Sequence, residues 1–261
     1  MIDGEKACTV DSTVLELTRL GREIGREDRG LVVLSEGSVS AKLDEHRYLV
    51  KASGAHLANL GPEQLVEVRG ANIQNLFEQS FLDSKEFEKE LMDCRIDPAA
   101  PKPSTELLFH HWLLSLEGIR FVAHSHPVSV NQILCSPQGE TFAQQRMLPD
   151  EILACGTVSV FVPYSDPGVP LAREIRARVS LYQRRSFGRV PKVILLQNHG
   201  VITLGETADA ALRAMLMVEK AARVFIGAAL LGGPVFMQQH QVQRVERPTE
   251  DGRRGPVRSG P

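Results

Sequence analysis

At 261 residues with a 43% hydrophobic fraction, the chain has the length for one large core and the composition of an ordinary globular protein. Its 30 basic and 32 acidic residues are well mixed and leave a net charge of -2, which argues against nucleic acid or an anionic membrane surface as a partner. No apolar run reaches the ~18 residues of a membrane helix, and the first residues lack the basic start and apolar stretch of a secretory signal, so a cytoplasmic protein is expected.

In chain order, the spacing of Leu17, Leu20 and Ile24 predicts an amphipathic helix over 13–26, with Thr13 and Glu16 as a capping box. Strands follow at 31–35, 39–43 and 48–51, separated by turn signals at Glu36-Gly37 and Asp44-Glu45. From 62 to 95 the pattern is polar and weakly periodic, and the charged run 83–90 reads as a solvated face. A helix starts at the Pro103-Ser104-Thr105 cap, carries Leu107, Leu108, Trp112 and Leu116 on one stripe, and stops at Gly118. This puts Glu106 in its first turn. A strand at 119–126, a strand at 158–162, a helix at 170–182, strands at 193–197 and 201–204, and a long helix at 208–231 capped by Thr207 complete an α/β chain. We expect one domain over 1–245 and a disordered tail over 246–261, where the composition cannot build a core. Cys8, Cys94, Cys135 and Cys155 form no CxxC pair, so neither a disulfide framework nor a thiolate zinc site is expected, and Cys135 and Cys155 read as small core residues.

His124 and His126 stand two apart on a strand, and such positions share one face, so their rings can converge on one metal ion. His199 ends another apolar run and offers a third ligand. A histidine pair at this spacing also fits two hydrogen-bonded core residues. His110 lies four residues after Glu106 and can line the same site, although core or surface packing is the better explanation of it. His111 faces another side of that helix, and His46, His56 and His240 have no supporting context. Tyr164 reads as a turn residue that can also reach a pocket.

Several stretches together, and in this order, resemble the class II aldolase/adducin family: Gly37-Ser-Val-Ser40, Lys51-Ala-Ser-Gly54, Pro103-Ser-Thr-Glu106, His124-Ser-His-Pro127, Val162-Pro-Tyr-Ser-Asp-Pro-Gly168 and Gln197-Asn-His-Gly-Val201. The resemblance implies a three-layer α/β/α fold with a central, mostly antiparallel sheet, assembled as a homotetramer. It also implies that His124, His126 and His199 hold a divalent metal and that Glu106 is the catalytic acid/base. Zinc suits three histidines best, and manganese, iron and cobalt also fit the site. An ion held by three neutral imidazoles keeps its charge and can stabilise the enediolate formed when a carbon–carbon bond breaks. Ser38, Ser53, Gly54, Ser104 and Thr105 are hydroxyl and backbone donors that suit a phosphate or carboxylate. Ser38 departs from the family pattern, which commonly has asparagine there, and this opens the site to an unphosphorylated sugar acid.

The expected activity is metal-dependent aldol cleavage of a small sugar phosphate or sugar acid. Decarboxylation and dehydration pass through a similar enolate and remain alternatives. A non-catalytic, adducin-like interaction module is opposed by the presence of all three histidines and the glutamate. A barrel hydrolase would need eight strand–helix units, and this chain has too few.

Overall fold

The computed structural model describes residues 2–78 and 84–247. In chain order the elements are α1 (Ile2–Ile24), β1 (Ser38–Lys42), β2 (Arg47–Lys51), β3 (Leu65–Arg69), α2 (Gly70–Glu78), α3 (Ser84–Asp93), α4 (Leu107–Leu114) and β4 (Phe121–Ser125). They continue with α5 (Val128–Leu134), α6 (Gly139–Gln144), α7 (Pro149–Cys155), β5 (Val160–Val162), α8 (Val169–Arg185), β6 (Val193–Leu196), β7 (Gly200–Gly205), α9 (Ala208–Leu230) and α10 (Gln239–Glu246). The strands form one sheet in the order β3-β2-β1-β4-β7-β6-β5, antiparallel throughout except for β5 beside β6. The mostly antiparallel sheet that the family resemblance implies is the one observed.

Alternation along β4 separates the two covering layers. Ser125 donates its hydroxyl to Met215 of α9 (3.0 Å), and Thr203 of β7 donates to the Ala211 carbonyl of the same helix (3.0 Å). His124 points the other way, where the Phe109 ring of α4 meets it edge-on at 5.8 Å. So α9 covers one face, with α1 beside it, while α4 covers the other, with α8 and α2 beside it. Both faces are apolar in the sheet centre: Val39, Ala41, Phe121, Val122, Ala123, Val201 and Ile202 are buried. Only strands covered on both sides carry such continuous runs.

Several sequence expectations are corrected. The segment 31–35 is not a strand: Val33 and Leu34 are exposed, and Leu34 takes a left-handed φ of 57° that breaks extended backbone. Two contacts pin the segment along the end of β4, His126 N–H to the Leu31 carbonyl (3.1 Å) and Val128 N–H to the Gly30 carbonyl (3.2 Å). The first helix begins well before Thr13, which is buried within it and does not stand at its start. The weakly periodic region holds β3, α2 and α3, whose described side chains at 85–90 are mainly exposed. Glu106 is not in the first turn of α4 but is its N-cap residue, without a side-chain cap bond. Three short helices fill 128–155, where none was foreseen. Cys155 is buried as expected, while Cys135 is exposed at the end of α5. Glu246, the first residue of the expected tail, closes α10, and residues from 248 onward lie outside the described ones.

Gly25 shows how closely α1 is seated. A Cβ there would lie 2.2 Å from the Ala58 amide nitrogen and 2.5 Å from the Leu57 carbonyl carbon. Backbone cannot yield as a side chain tip can, so Gly25→Ala is expected to cost about 1–3 kcal/mol, although a glycine-to-alanine change at a compatible site stabilises. Urea unfolding measures it, and a variant as stable as the parent would contradict this seating.

Candidate functional site

The site grows from one register. In the antiparallel pair β1–β4, Ser38 lies directly across from His124 and Ser40 across from Val122, so Ser38, Ser40 and His124 share the face that α4 covers. His126 stands just past the end of β4, two residues on, and returns to the same face. The loop between β6 and β7 supplies His199. Asn198, at a left-handed φ of 55°, turns the chain there, and the Asn131 side chain of α5 donates to the His199 carbonyl at 3.0 Å.

Gly200 makes that approach possible. A Cβ at this position would lie 2.5 Å from the Ser125 carbonyl oxygen and 2.6 Å from Cδ2 of His126. The glycine therefore belongs to the site as much as the histidine before it.

The three rings converge, with centroids 4.8 to 5.0 Å apart and one ligand atom from each lying within 4.8 Å of the others. His124 Nδ1 is 3.0 Å from the Val201 carbonyl oxygen, which can only accept. The ring proton therefore sits on Nδ1, and Nε2 presents a lone pair. Into the same space come His126 Nε2 at 3.0 Å and Glu106 Oε1 at 3.3 Å. The His124 lone pair and the Glu106 oxygen face the same space, where a cation would satisfy both, so the residues fit a divalent metal held by imidazoles. On its far side, His126 Nδ1 lies 3.6 Å from Glu36 Oε1, the outer carboxylate that commonly orients a ligating histidine. Burial holds the His124 ring well below the usual histidine range, and the rings of His126 and His199 add to that. Burial also lowers His199, and neutral imidazoles are the ligating form.

Glu106 is held from the other side. The Ser38 hydroxyl donates to Oε2. Ser38 Oγ also lies 2.6 Å from His110 Nε2, and His110 Nδ1 lies 2.6 Å from Ser40 Oγ. His110, Ser38 and Ser40 are all buried. Nearby, Lys51 is 3% exposed and has no carboxylate within ion-pair distance among the described residues; Nζ donates to the Ala55 carbonyl at 2.7 Å, burial lowers its pKa, and the Glu106 charge opposes that shift.

The five expected anchor residues divide. Ser38 lies inside, committed to Glu106. A bridge between Ala52 and Pro103 brings Ser53 and Gly54 beside Ser104 and Thr105. The Ser53 amide donates to the Lys102 carbonyl (2.8 Å) and that of Ser104 to the Lys51 carbonyl (3.4 Å), while Ser53, Gly54 and Thr105 are exposed. Tyr164 is 59% exposed and its hydroxyl donates to Asp166 at 3.2 Å. The sequence reading missed Ser40, Lys51 and Glu36. Ser40 was detectable, because Ser38 and Ser40 share a strand face just as Glu106 and His110 share a helix face.

Comparisons with known proteins bear on the family and the fold. The family model described as Class II Aldolase and Adducin N-terminal domain matches residues 16–226. The chain is 26% identical over 242 residues, 90% of its length, to the uncharacterized oxidoreductase YuxG of Bacillus subtilis (strain 168), but spans only 32% of that protein. It is 25% identical over 203 residues to a methylthioribulose-1-phosphate dehydratase of Gluconacetobacter diazotrophicus, covering 76% of this chain and 85% of the relative. The N-terminal class II aldolase domain of a conserved protein from Thermoplasma acidophilum superposes with a TM-score of 0.62 at 25% identity, covering 81% of this chain and 92% of that domain.

Burial gives the site's helix a pH dependence. It pushes His110 down to about 3 and His111, whose Nδ1 has no hydrogen-bond partner, down to about 4. Both rings take up protons more readily unfolded than folded. Their contribution is therefore complete above the unfolded value of about 6.5 and shrinks as the pH falls below it. At about pH 5 the loss is about 2 kcal/mol for each ring. Urea unfolding at about pH 7.5 and about pH 5 tests this, and equal stabilities would refute it.

Proposed function

This chain belongs to the class II aldolase and adducin family, and we propose that it is a metal-dependent lyase that cleaves a carbon–carbon bond in a small sugar phosphate or sugar acid. The observation that carries the proposal is the Glu106 carboxylate standing 3.3 Å from His124 Nε2, beside three converging imidazoles. In this reading His124, His126 and His199 hold the metal, with zinc the first choice and manganese, iron or cobalt alternatives. The bound ion would supply a Lewis acid for two adjacent substrate oxygens and for the charge that develops on them as the bond breaks.

The protein's own groups do the rest. Glu106 takes or returns the proton through Oε1, which lies beside the histidines while Oε2 is engaged by Ser38. The buried Lys51 ammonium lies near enough to Glu106 for the carboxylate charge to oppose the lowering of its own pKa by burial. Ser53, Gly54, Ser104 and Thr105 form the outer anchor for the far end of the substrate, and Ser38 is its inner margin. The domain extends over 1–245, and the protein acts in the cytoplasm as a homotetramer.

A second reading is dehydration. It is favoured by the 25% identity to a methylthioribulose-1-phosphate dehydratase over 85% of that protein. Here the same carboxylate would remove a proton from the carbon beside a carbonyl, and the departing group would be a hydroxyl instead of a carbon fragment.

Metal analysis of the purified protein is expected to find about one divalent ion per chain, and the double variant His124→Ala, His199→Ala to lose it. Unchanged stoichiometry in that variant would sink the ligand assignment. Glu106→Gln is expected to keep the metal and lose about 100-fold or more in kcat. Full turnover in that variant would remove Glu106 from the chemistry. A screen of sugar phosphates and sugar acids for metal-dependent release of an aldehyde, a ketone or carbon dioxide, or for loss of water, separates the reactions.

A further inference from the structure

We propose that His110 is a positioning residue: backed by Ser40, it fixes the single proton of the Ser38 hydroxyl on Oε2 of Glu106, leaving Oε1 turned to the three histidines as the oxygen that exchanges a proton. The inference deepens the proposed function and rests on Glu106 as the proton carrier.

The direction of every bond in the chain follows from counting protons. An ionised carboxylate only accepts, so Ser38 donates to Oε2. Having spent its one proton, Ser38 Oγ must accept at its other contact, which makes His110 Nε2, at 2.6 Å, the donor. A neutral imidazole has one N–H, so Nδ1 is left as an acceptor and Ser40 donates to it at 2.6 Å. The relay runs from Ser40 to His110 to Ser38 to Glu106.

The other tautomer breaks it. With the proton on Nδ1, the bare Nε2 would compete for the only proton of Ser38, and Oε2 would lose its donor. The carboxylate could then rotate and no longer hold Oε1 at 3.3 Å from His124 Nε2. Side chains so enclosed have little freedom to find other partners: Ser38, Ser40 and His110 are 3%, 0% and 2% exposed. A hydroxyl takes its direction from its neighbours, so Ser38 needs a neighbour that sets it. His110 does so because it stands one turn beyond Glu106 on the face that Ser38 and Ser40 share.

The test has two arms. In full-length protein carrying nitrogen-15 histidine, magic-angle-spinning NMR is expected to show the His110 ring with a protonated Nε2 and a bare Nδ1, the signal being assigned by its loss in His110→Gln. The opposite tautomer would overturn the proposal, whatever the reaction is. In kinetics with the substrate found by the screen, His110→Leu is expected to lower kcat about 10–100-fold with KM within about twofold. His110→Gln, which keeps an N–H toward Ser38, is expected to recover kcat to within about fivefold of the parent. Equal losses in both variants, or none in His110→Leu, overturn the inference while leaving the role of Glu106 intact. A fully active Glu106→Gln strikes the functional reading instead. Should His110→Leu not fold, the tautomer in the unmodified chain still decides.

Discussion

The pairing of β1 with β4 is the constraint on which the rest of the site depends. Ser38 opposite His124 is a statement about backbone register, and a slip of one residue would turn Ser38 and Ser40 to the α9 face and Val39 and Ala41 to the α4 face. The register of β4 with β7 matters equally, since Ser125 opposite Val201 brings the His199 loop alongside His126. Neither pairing is left to the hydrophobic pattern alone. The sheet is buried on both faces, where apolar alternation discriminates poorly between registers, and polar groups on each face supply the missing information. Ser125 and Thr203 find hydrogen-bond partners on α9, whereas Ser38 and Ser40 find them only under α4. A slipped strand would leave buried hydroxyls without partners on both sides, at about 1–3 kcal/mol each.

The same enclosure decides the electrostatics. His110 and His124 are surrounded by low-dielectric protein, and burial is the leading cause of the lowered pKa of each. Neutral rings of fixed tautomer make directional hydrogen bonds, and a lone pair held in place is a better ligand than one that must first lose a proton. Lys51 is the counterpart: a cation brought inside and held by carbonyl dipoles, near enough to Glu106 for the two charges to influence one another. The enclosed site thus holds one carboxylate and one ammonium, and the hydroxyl that donates to the carboxylate is neutral.

The parts legible in the sequence were those with short-range causes. Strand alternation located β1, β2, β6 and β7 within a residue or two, and Thr207 marked the start of α9, where its hydroxyl accepts from the Ala210 amide. The His124–His126 spacing and the ordered motifs pointed to the cluster that the fold assembles. What escaped was set by tertiary context. The 31–35 segment is β-rich in composition, but its neighbour along the end of β4 holds it as irregular chain. The short helices between Val128 and Cys155 have too few turns to show a period, and α5 exists because it packs on α9 and supplies Asn131 to the His199 loop. The His110 relay lies between elements 70 residues apart, so no local pattern announces it; Glu106 and His110 at helix spacing and Ser38 and Ser40 at strand spacing were each visible, but not that the two pairs meet.

The site divides physically into two halves. His124, His110, Ser38 and Ser40 are buried under α4, and any substitution there disturbs packing, tautomer and carboxylate at once. Ser53, Thr105 and Tyr164 are exposed on loops and can change without cost to the core, whereas Gly54, equally exposed, holds a left-handed φ of 76° that a side chain would strain. Proton transfer beside a charged centre is common to aldol cleavage, decarboxylation and dehydration, so the enclosed half suits all three. The choice among them depends on how the far end of the substrate is held, which orients one bond or another over the carboxylate. Ser38 stands on the boundary between these halves. By joining the enclosed one it is committed to Glu106, so in the proposed reading the exposed Ser53–Gly54 turn is left to hold the far end of the substrate.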